Sequence, residues 1–196
     1  MLRTPQFFVL YASFVMMATG GLLVTANAGP MAKSWGFSIT LAATLSPLAN
    51  GAARIFWGWA SDRLGRENTM VVTFVLQALC LVAVATLGQR STAWFVATLV
   101  AVYFTWGQIY SLFPSMSGDY FGAAHATSNY ALLYTAKGVA SIIAAYAAAL
   151  LYEQSGSWTT GFYGSAMMAL VAAVLAYGLR TTPTAKAKTA KIPVTA

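Results

Sequence analysis

The sequence predicts an all-α membrane protein with six transmembrane helices, and its composition and hydropathy pattern both support this class. Of its 196 residues, 59% are hydrophobic and only 8% are charged, against about 25% charged in an ordinary soluble domain. Six apolar stretches recur, and a helix of roughly 20 residues crosses a hydrocarbon core of about 30 Å. Six such helices leave too little polar surface for a water-soluble protein.

The first three predicted spans cover residues 7–28, 39–59 and 69–88. The first follows the N-terminus like a signal peptide, but it exceeds the apolar core of about 7–15 residues that is typical of one. The second carries Arg54 and ends at a basic turn. The third contains the single cysteine, Cys80, which we interpret as a small apolar packing residue.

The last three predicted spans cover residues 92–114, 128–152 and 161–179. The connection at residues 115–127 is predicted to lie along the cytoplasmic surface, with His125 as a surface residue. Small residues in the fifth span let membrane helices approach closely; they are Gly138, Ser141, Ala145 and Ala149. Residues 1–180 thus form one bundle, and residues 181–196, polar and proline-containing, are predicted to be a disordered cytoplasmic tail.

The distribution of basic residues predicts that both termini face the cytoplasm. Six spans place both termini on one side. That side holds Arg3, Arg63, Arg66, Arg180, Lys186, Lys188 and Lys191, and the other holds Lys33 and Arg90. The positive-inside rule then predicts a multi-pass protein of the inner (plasma) membrane. The net charge of +7 reflects this topology, and the spaced tail lysines do not form a nucleic-acid surface.

Two cations, Arg54 and Lys137, lie inside predicted spans that contain no Asp or Glu. A charge at mid-bilayer costs about 2.5–3.5 kcal/mol, so such residues face a water-filled cavity or a partner. We therefore expect a bound anion. Two alternatives stay open: Arg54 could extend to the nearby membrane surface, and burial could keep Lys137 neutral. Asn50, one helical turn before Arg54, shares its face and is predicted to be its hydrogen-bonding neighbour.

Aromatic residues recur at helical spacing in the fourth and fifth spans, so each set lines one helix face. The sets are Tyr103, Trp106 and Tyr110, and Tyr130 and Tyr134 together with Lys137. Aromatic walls contact cations, exclude water and fit a small planar anion. Packing or an interfacial aromatic belt is the alternative, although Trp106 and Tyr110 lie too deep for a belt.

The inventory of reactive residues argues against a metal site or an enzyme. One His, one Cys and four acidic residues offer no cluster of metal ligands. A membrane-embedded hydrolase would need a nucleophile and a base at one depth, and the sequence offers no such set. We predict neither catalysis nor a cofactor.

A basic turn between the second and third spans reads Gly58-Trp-Ala-Ser-Asp62-Arg63-Leu-Gly65-Arg66. It resembles the loop signature of the major facilitator superfamily, G-x-x-x-D-R/K-x-G-R followed by a basic residue. The resemblance implies close helix contact at the Gly, an Asp near a helix end, and Arg residues that latch neighbouring helices during the conformational cycle. Glu67 departs from the pattern, so one latch contact is not expected. An ordinary cytoplasmic turn is the alternative.

Within that superfamily the chain resembles the oxalate/formate antiporter family over nearly its full length. The similar stretches are residues 48–69, 113–122 and 129–140. The resemblance implies that the chain is the C-terminal six-helix half of a twelve-helix fold. In this family an Arg and a Lys of that half bind a dicarboxylate, and the matching positions are Arg54 and Lys137.

The resemblance also implies that Trp106, Tyr110 and Tyr134 line the substrate cavity, with Tyr134 where the family often has Trp. We therefore predict a secondary transporter that exchanges small carboxylates across the lipid bilayer. A proton-coupled monocarboxylate transporter and a truncated, non-transporting half-carrier are the alternatives. The predicted partner is an N-terminal six-helix half or a second copy of the chain.

Overall fold

The computed structural model describes residues 1–181, and the regular secondary structure in that range is entirely helical. Residues 182–196, where the disordered tail is predicted, lie outside the described residues. The helices are α1 Pro5–Ser34, α2 Thr40–Leu64, α3 Arg66–Thr86, α4 Thr92–Trp106, α5 Ile109–Phe121, α6 Ala126–Ser155 and α7 Thr159–Leu179, with a 3₁₀ turn at Ala123–His125.

Five helical stretches of the described chain are long and apolar enough to cross a membrane. They are Pro5–Ser34, Arg66–Thr86, Thr92–Phe121, Ala123–Ser155 and Thr159–Leu179. The helix that does not qualify is α2, which is long enough at 25 residues but carries Pro47, Asn50 and Arg54 within its apolar sequence. The all-α membrane class is therefore supported, and a sixth crossing by α2 stays a prediction.

The fourth predicted span consists of two helices joined by a tight turn. Gly107 and Gln108 interrupt the α-helical pattern, and the chain passes through bonds from Tyr110 N to Gly107 O and from Ser111 N to Gln108 O. Bonds to the third residue back are typical of a tightened 3₁₀ turn, which often marks a hinge inside a membrane-length helix. α4 and α5 together therefore cover Thr92–Phe121.

α5 extends further than the predicted span, because residues 115–121 continue the helix instead of forming a surface loop. Met116, Ser117 and Tyr120 are buried in the bundle, which anchors this segment. The helix ends at Gly122, whose φ of 87° lies in the left-handed region that glycine adopts without steric penalty.

α2 packs closely against the junction of α4 and α5. A Cβ atom at Gly107 would lie 2.7 Å from both Ala53 Cβ and Asn50 O, so the two backbones approach as near as glycine permits. Asn50 Nδ2 donates to Tyr103 O at 3.1 Å, and Trp57 Nε1 donates to Phe104 O at 3.0 Å. These bonds satisfy backbone groups near the interrupted turn, where water is excluded.

We expect Gly107→Ala to destabilise the bundle, because the added methyl group would overlap Ala53 and the backbone of Asn50. Overpacking of this kind costs about 1–3 kcal/mol. The control is Gly118→Ala in α5, where an added Cβ meets nothing within 4 Å. Thermal unfolding in detergent measures the effect, and equal unfolding temperatures for the two variants would contradict the close approach.

The contact between α1 and α6 uses a different stripe of small residues from the one predicted. Ala136, Ala140, Ala144 and Ala148 are the buried small residues of α6. The predicted small residues lie on the exposed side of α6. They are Gly138, Ser141, Ala145 and Ala149. α6 carries two stripes of small residues at a spacing of about one turn, so sequence spacing alone does not identify which stripe packs inward.

Candidate functional site

Tyr110, at the start of α5, contacts both of the cations singled out in the sequence, Arg54 and Lys137. The Arg54 guanidinium lies over its ring, 4.2 Å from the centroid. Lys137 Nζ lies 2.8 Å from the Tyr110 hydroxyl and 5.0 Å from the ring centroid. Residues from α2, α5 and α6 therefore meet at one phenol, which brings together three of the five predicted substrate-binding residues.

Arg54 points back along α2, away from the basic turn at the end of that helix. Its Nη2 donates to Asn50 Oδ1 at 3.3 Å, which confirms the predicted neighbour. Asn50 is bonded in turn to the Tyr103 carbonyl, so the guanidinium is oriented by a fixed amide. An arginine reaching for the nearer membrane surface would extend in the opposite direction.

Lys137 is held by two phenols from different helices. Beside its bond to Tyr110, Nζ lies 3.3 Å from the Tyr134 hydroxyl, and Tyr134 occupies the preceding turn of α6. An ammonium group has three N–H donors, so one donor remains for a further acceptor. The phenol oxygens accept from the ammonium, which leaves each hydroxyl hydrogen able to point elsewhere.

The two cations have no carboxylate partner among residues 1–181. The ion pairs found there both involve Arg66, with Asp62 and with Asp119. Arg54 is exposed and Lys137 is half-buried, and both contact Tyr110. Two positive charges and polar hydroxyl groups therefore meet on a surface that is otherwise apolar, which is the arrangement expected of an anion site.

Trp106 forms the inner wall behind Tyr110. Its side chain is buried, and its ring meets Tyr110 edge-on at 5.9 Å between centroids and Tyr103 in the same way at 5.9 Å. Nε1 has no hydrogen-bond partner among the described residues. Trp106 therefore supports the cation-binding phenol by ring contact.

Tyr134 and the neighbouring aromatic rings form a continuous side wall. Tyr134 meets Phe14 of α1 edge-on at 5.9 Å, and Phe14 stacks on Phe113 of α5 at 4.4 Å. Tyr130 lies 5.6 Å from Tyr134. Tyr103 instead borders a separate cavity of about 270 Å³ between α1, α2 and α4.

The predicted loop motif forms an ion-pair cluster centred on Arg66. Arg66 Nε lies 2.5 Å from Asp119 Oδ2 in α5, and Arg66 Nη2 lies 3.5 Å from Asp62 Oδ1 in α2. The whole connection between α2 and α3 is Gly65, whose φ of 87° favours glycine. The motif therefore ties the ends of three helices together.

The other residues of the motif differ in their contacts. The Arg63 guanidinium lies 4.3 Å from the Trp59 ring centroid. A Cβ at Gly58 would meet Ser111 Cβ at 3.8 Å, an ordinary contact that leaves room for a methyl group. The closest approach of α2 to the α4–α5 segment is at Gly107 instead, nearer the middle of α2.

Glu67, which departs from the family pattern, makes a different connection. The Tyr120 hydroxyl lies 3.0 Å from Glu67 Oε1 and 3.0 Å from the Leu179 carbonyl. These contacts join the start of α3 to the ends of α5 and α7. The same end of the bundle is thus held by two polar clusters, one around Arg66 and one around Tyr120.

Sequence reasoning missed two participants, Asp119 and the supporting glycine of Trp106, Gly21. Asp119 is a short acidic side chain near the end of α5, and its pairing with Arg66 depends on how α5 packs against α3. A Cβ at Gly21 would lie 2.2 Å from Trp106 Cδ2. The adjacent glycines Gly20 and Gly21 in the first span favour close helix packing, but their positions do not identify the partner.

The long apolar helices are those of a membrane protein, and comparison with known proteins identifies its class. The profile of the Major Facilitator Superfamily matches residues 8–195. The chain therefore belongs to that superfamily, which confirms the resemblance found in the sequence.

The relatives include a carrier of the predicted kind. The oxalate:formate antiporter of Oxalobacter formigenes is 39% identical over 90% of this chain and 43% of its own length. An uncharacterized superfamily transporter of Escherichia coli is 29% identical over 72% of this chain and 36% of its own length. Apicoplast pyruvate carrier 2 of Toxoplasma gondii is 35% identical over 47% of this chain and 14% of its own length. The chain spans less than half the length of these curated relatives.

Proposed function

We propose that this chain forms part of a secondary transporter that exchanges small carboxylate anions, with Arg54 and Lys137 holding the substrate. The observation that carries the proposal is their meeting at Tyr110, over 4.2 Å and 2.8 Å, without a carboxylate partner among residues 1–181. A carboxylate substrate supplies the missing negative charge.

The donors of the site favour a small dicarboxylate such as oxalate. Arg54 offers a planar fork that matches a carboxylate, and Lys137 offers its remaining N–H to a second carboxylate. The charge of a dianion cancels that of both cations, whereas a monoanion such as formate leaves one uncompensated. The aromatic wall of Trp106, Tyr110 and Tyr134 suits a flat ligand. The antiporter from Oxalobacter formigenes, whose name includes both anions, supports this substrate class.

Exchange follows from the charge of the empty site. Without a ligand, two positive charges would pass through the low-dielectric centre of the membrane whenever the carrier reorients. That step is costly, and an anion on either side lowers its cost by neutralising the pair. The loaded carrier should therefore reorient faster than the empty one, which makes transport an obligatory exchange.

The open faces of α2 and α6 support a requirement for a second bundle. Large apolar side chains are exposed on both helices. On α2 they are Leu41, Leu45, Leu48, Ile55, Phe56 and Trp59; on α6 they are Leu132, Val139, Ile142, Ile143 and Tyr146. An N-terminal six-helix half, or a second copy of this chain, would cover these faces and complete the cavity.

We further propose a plasma-membrane location with both termini in the cytoplasm. The ends of α5 and α7 meet the start of α3 through Tyr120, so Arg63, Arg66 and Arg180 gather at one end of the bundle. A concentration of arginines at one membrane surface is typical of the cytoplasmic side.

A proton-coupled monocarboxylate carrier is the competing proposal, and the similarity to a pyruvate carrier supports it. That mechanism needs a titratable group that changes charge during the cycle. Uptake driven by a pH gradient into vesicles without internal anion distinguishes it from exchange.

The test is uptake of radiolabelled oxalate by proteoliposomes. The chain is reconstituted alone and together with the segment of the Oxalobacter formigenes antiporter that it does not match. We expect rapid uptake into vesicles loaded with oxalate or formate and slow uptake into empty vesicles. Equal rates would refute exchange. If the protein neither binds nor takes up oxalate, formate or malonate, the proposed substrate class is refuted.

We expect Tyr134→Phe to weaken oxalate binding while leaving the fold intact. The substitution keeps the ring against Phe14 and removes the hydroxyl beside Lys137. One such hydrogen bond is worth about 1 kcal/mol, or roughly fivefold in the dissociation constant. Tyr146→Phe, on the exposed side of α6, is the matched control. Equal oxalate affinities for the two variants would contradict a binding role for the Tyr134 hydroxyl.

A further inference from the structure

Gly21 of α1 lies directly against the indole of Trp106. A Cβ atom at this position would lie 2.2 Å from Cδ2 and Cε2 and 2.3 Å from Nε1 of that ring. These distances are far below van der Waals contact, and the obstacle is a rigid ring rather than the end of a flexible chain. The observed position of Trp106 therefore requires glycine at residue 21.

Ring contacts alone hold Trp106 in this position. Its indole N–H is buried and has no acceptor among residues 1–181, so no hydrogen bond fixes the ring. The ring rests on the α1 backbone at Gly21 and meets two aromatic neighbours, Tyr110 and Tyr103, each at 5.9 Å between centroids. A displaced indole would therefore change its contact with Tyr110.

Tyr110 in turn sets the relative placement of the two cations. Its ring lies under Arg54 at 4.2 Å and its hydroxyl accepts from Lys137 at 2.8 Å. A continuous series of contacts thus leads from α1 through two aromatic rings to both charges. Displacements of about 1 Å in such a site can cost up to a hundredfold in function.

The neighbouring glycine has a different role. A Cβ at Gly20 would meet Leu81 Cδ1 at 3.1 Å and Ser165 Cβ at 3.4 Å. These atoms belong to α3 and α7, not to the aromatic residues of the site, and the leucine methyl group can move. Gly20 therefore serves the packing of helices, while Gly21 faces the site.

We propose that Gly21 is a positioning residue of the anion site, which acts through Trp106 and Tyr110 to fix the spacing of Arg54 and Lys137. The inference rests on the proposed function of that site. It adds a residue from α1, a helix that contributes no charge to the site, to the determinants of substrate affinity.

The experiment compares Gly21→Ala, Gly20→Ala, Trp106→Phe and the double variant Gly21→Ala/Trp106→Phe in the full chain, with radiolabelled oxalate as the probe. We expect Gly21→Ala to weaken oxalate binding about tenfold or more, and Gly20→Ala to leave it within about twofold of the unmodified chain. Phenylalanine leaves room for the added methyl group, so Gly21→Ala should change affinity by less than about twofold in the Trp106→Phe background.

A fluorine label on tryptophan provides a readout of ring position that does not depend on oxalate. The Trp106 resonance, assigned by its loss in Trp106→Phe, should shift in Gly21→Ala and stay in place in Gly20→Ala. Thermal unfolding of the same variants separates a general loss of stability from a local shift of the indole.

Each outcome has a distinct meaning. If the unmodified chain binds oxalate and Gly21→Ala binds it equally well, the positioning role is wrong and the proposed function stands. Equal losses of affinity from Gly21→Ala in both backgrounds, or an unmoved Trp106 resonance, would also overturn the positioning role. If the unmodified chain binds no carboxylate, either alone or together with the segment of the Oxalobacter formigenes antiporter that it does not match, the proposed function fails and the positioning role fails with it.

Discussion

Lys137→Gln is expected to abolish oxalate exchange. Glutamine is an uncharged side chain that is shorter than lysine. It cannot reach the hydroxyl groups of both Tyr110 and Tyr134, as the Lys137 ammonium group does. Losing one partner of a desolvated charge pair costs about 3–5 kcal/mol, which corresponds to a loss of roughly 10²- to 4 × 10³-fold in affinity. The measurement is the initial rate of exchange at low external oxalate in loaded proteoliposomes.

The control for this variant is Lys33→Gln, which removes an exposed lysine in the last turn of α1. It changes the net charge of the chain by the same amount without touching the site. Its rate should match that of the unmodified chain. Exchange by Lys137→Gln at the rate of Lys33→Gln would mean that Lys137 does not hold the substrate.

Arg54→Lys should separate the role of charge from the role of shape. Lysine keeps the positive charge but loses the planar fork that lies over Tyr110 and that matches a carboxylate. We expect Arg54→Lys to lower oxalate affinity by about tenfold to a hundredfold. Arg54→Gln should bind oxalate more weakly than Arg54→Lys. The loss for oxalate should exceed that for formate, because only a dicarboxylate uses both cations together.

Arg90→Lys provides the matched control, since Arg90 is exposed in the connection between α3 and α4. Oxalate binding by this variant should be unchanged. If Arg54→Lys also bound oxalate with full affinity, a point charge at residue 54 would suffice and the fork geometry would not matter.

The sequence singled out candidate residues of the site but not the contacts between them. Charge inside an apolar span is visible in the sequence, so Arg54 and Lys137 could be singled out, and helical spacing correctly paired Arg54 with Asn50. The contact of Lys137 with Tyr110 joins two helices whose packing cannot be inferred from spacing within either. The same limit explains why Asp119 was not predicted as a partner of Arg66.

The fold was predicted where hydropathy is a sufficient signal. The apolar stretches that became α1, α3, α6 and α7 were identified as helices. Most predicted ends fall a few residues short of the helix ends, since polar helix ends carry no hydropathy signal, whereas the third predicted span extends past the end of α3 at Thr86 and the sixth ends with α7 at Leu179. The interruption between α4 and α5 was missed, because Gly107 is compatible with a continuous membrane helix. What tightens the turn is the close approach of α2, a tertiary effect.

The connection between α2 and α3 is the single residue Gly65. A tilt of α2 about this residue would move the distant positions of the helix the most. Arg54 lies eleven positions before Gly65 in the sequence, or about 16 Å along the helix axis, so a tilt of about 10° moves its attachment point by about 3 Å. That displacement is comparable to the 4.2 Å between its guanidinium and the Tyr110 ring. Under the proposed function, a small rotation at this turn would be enough to bring the Arg54 guanidinium to the Tyr110 ring or to move it away.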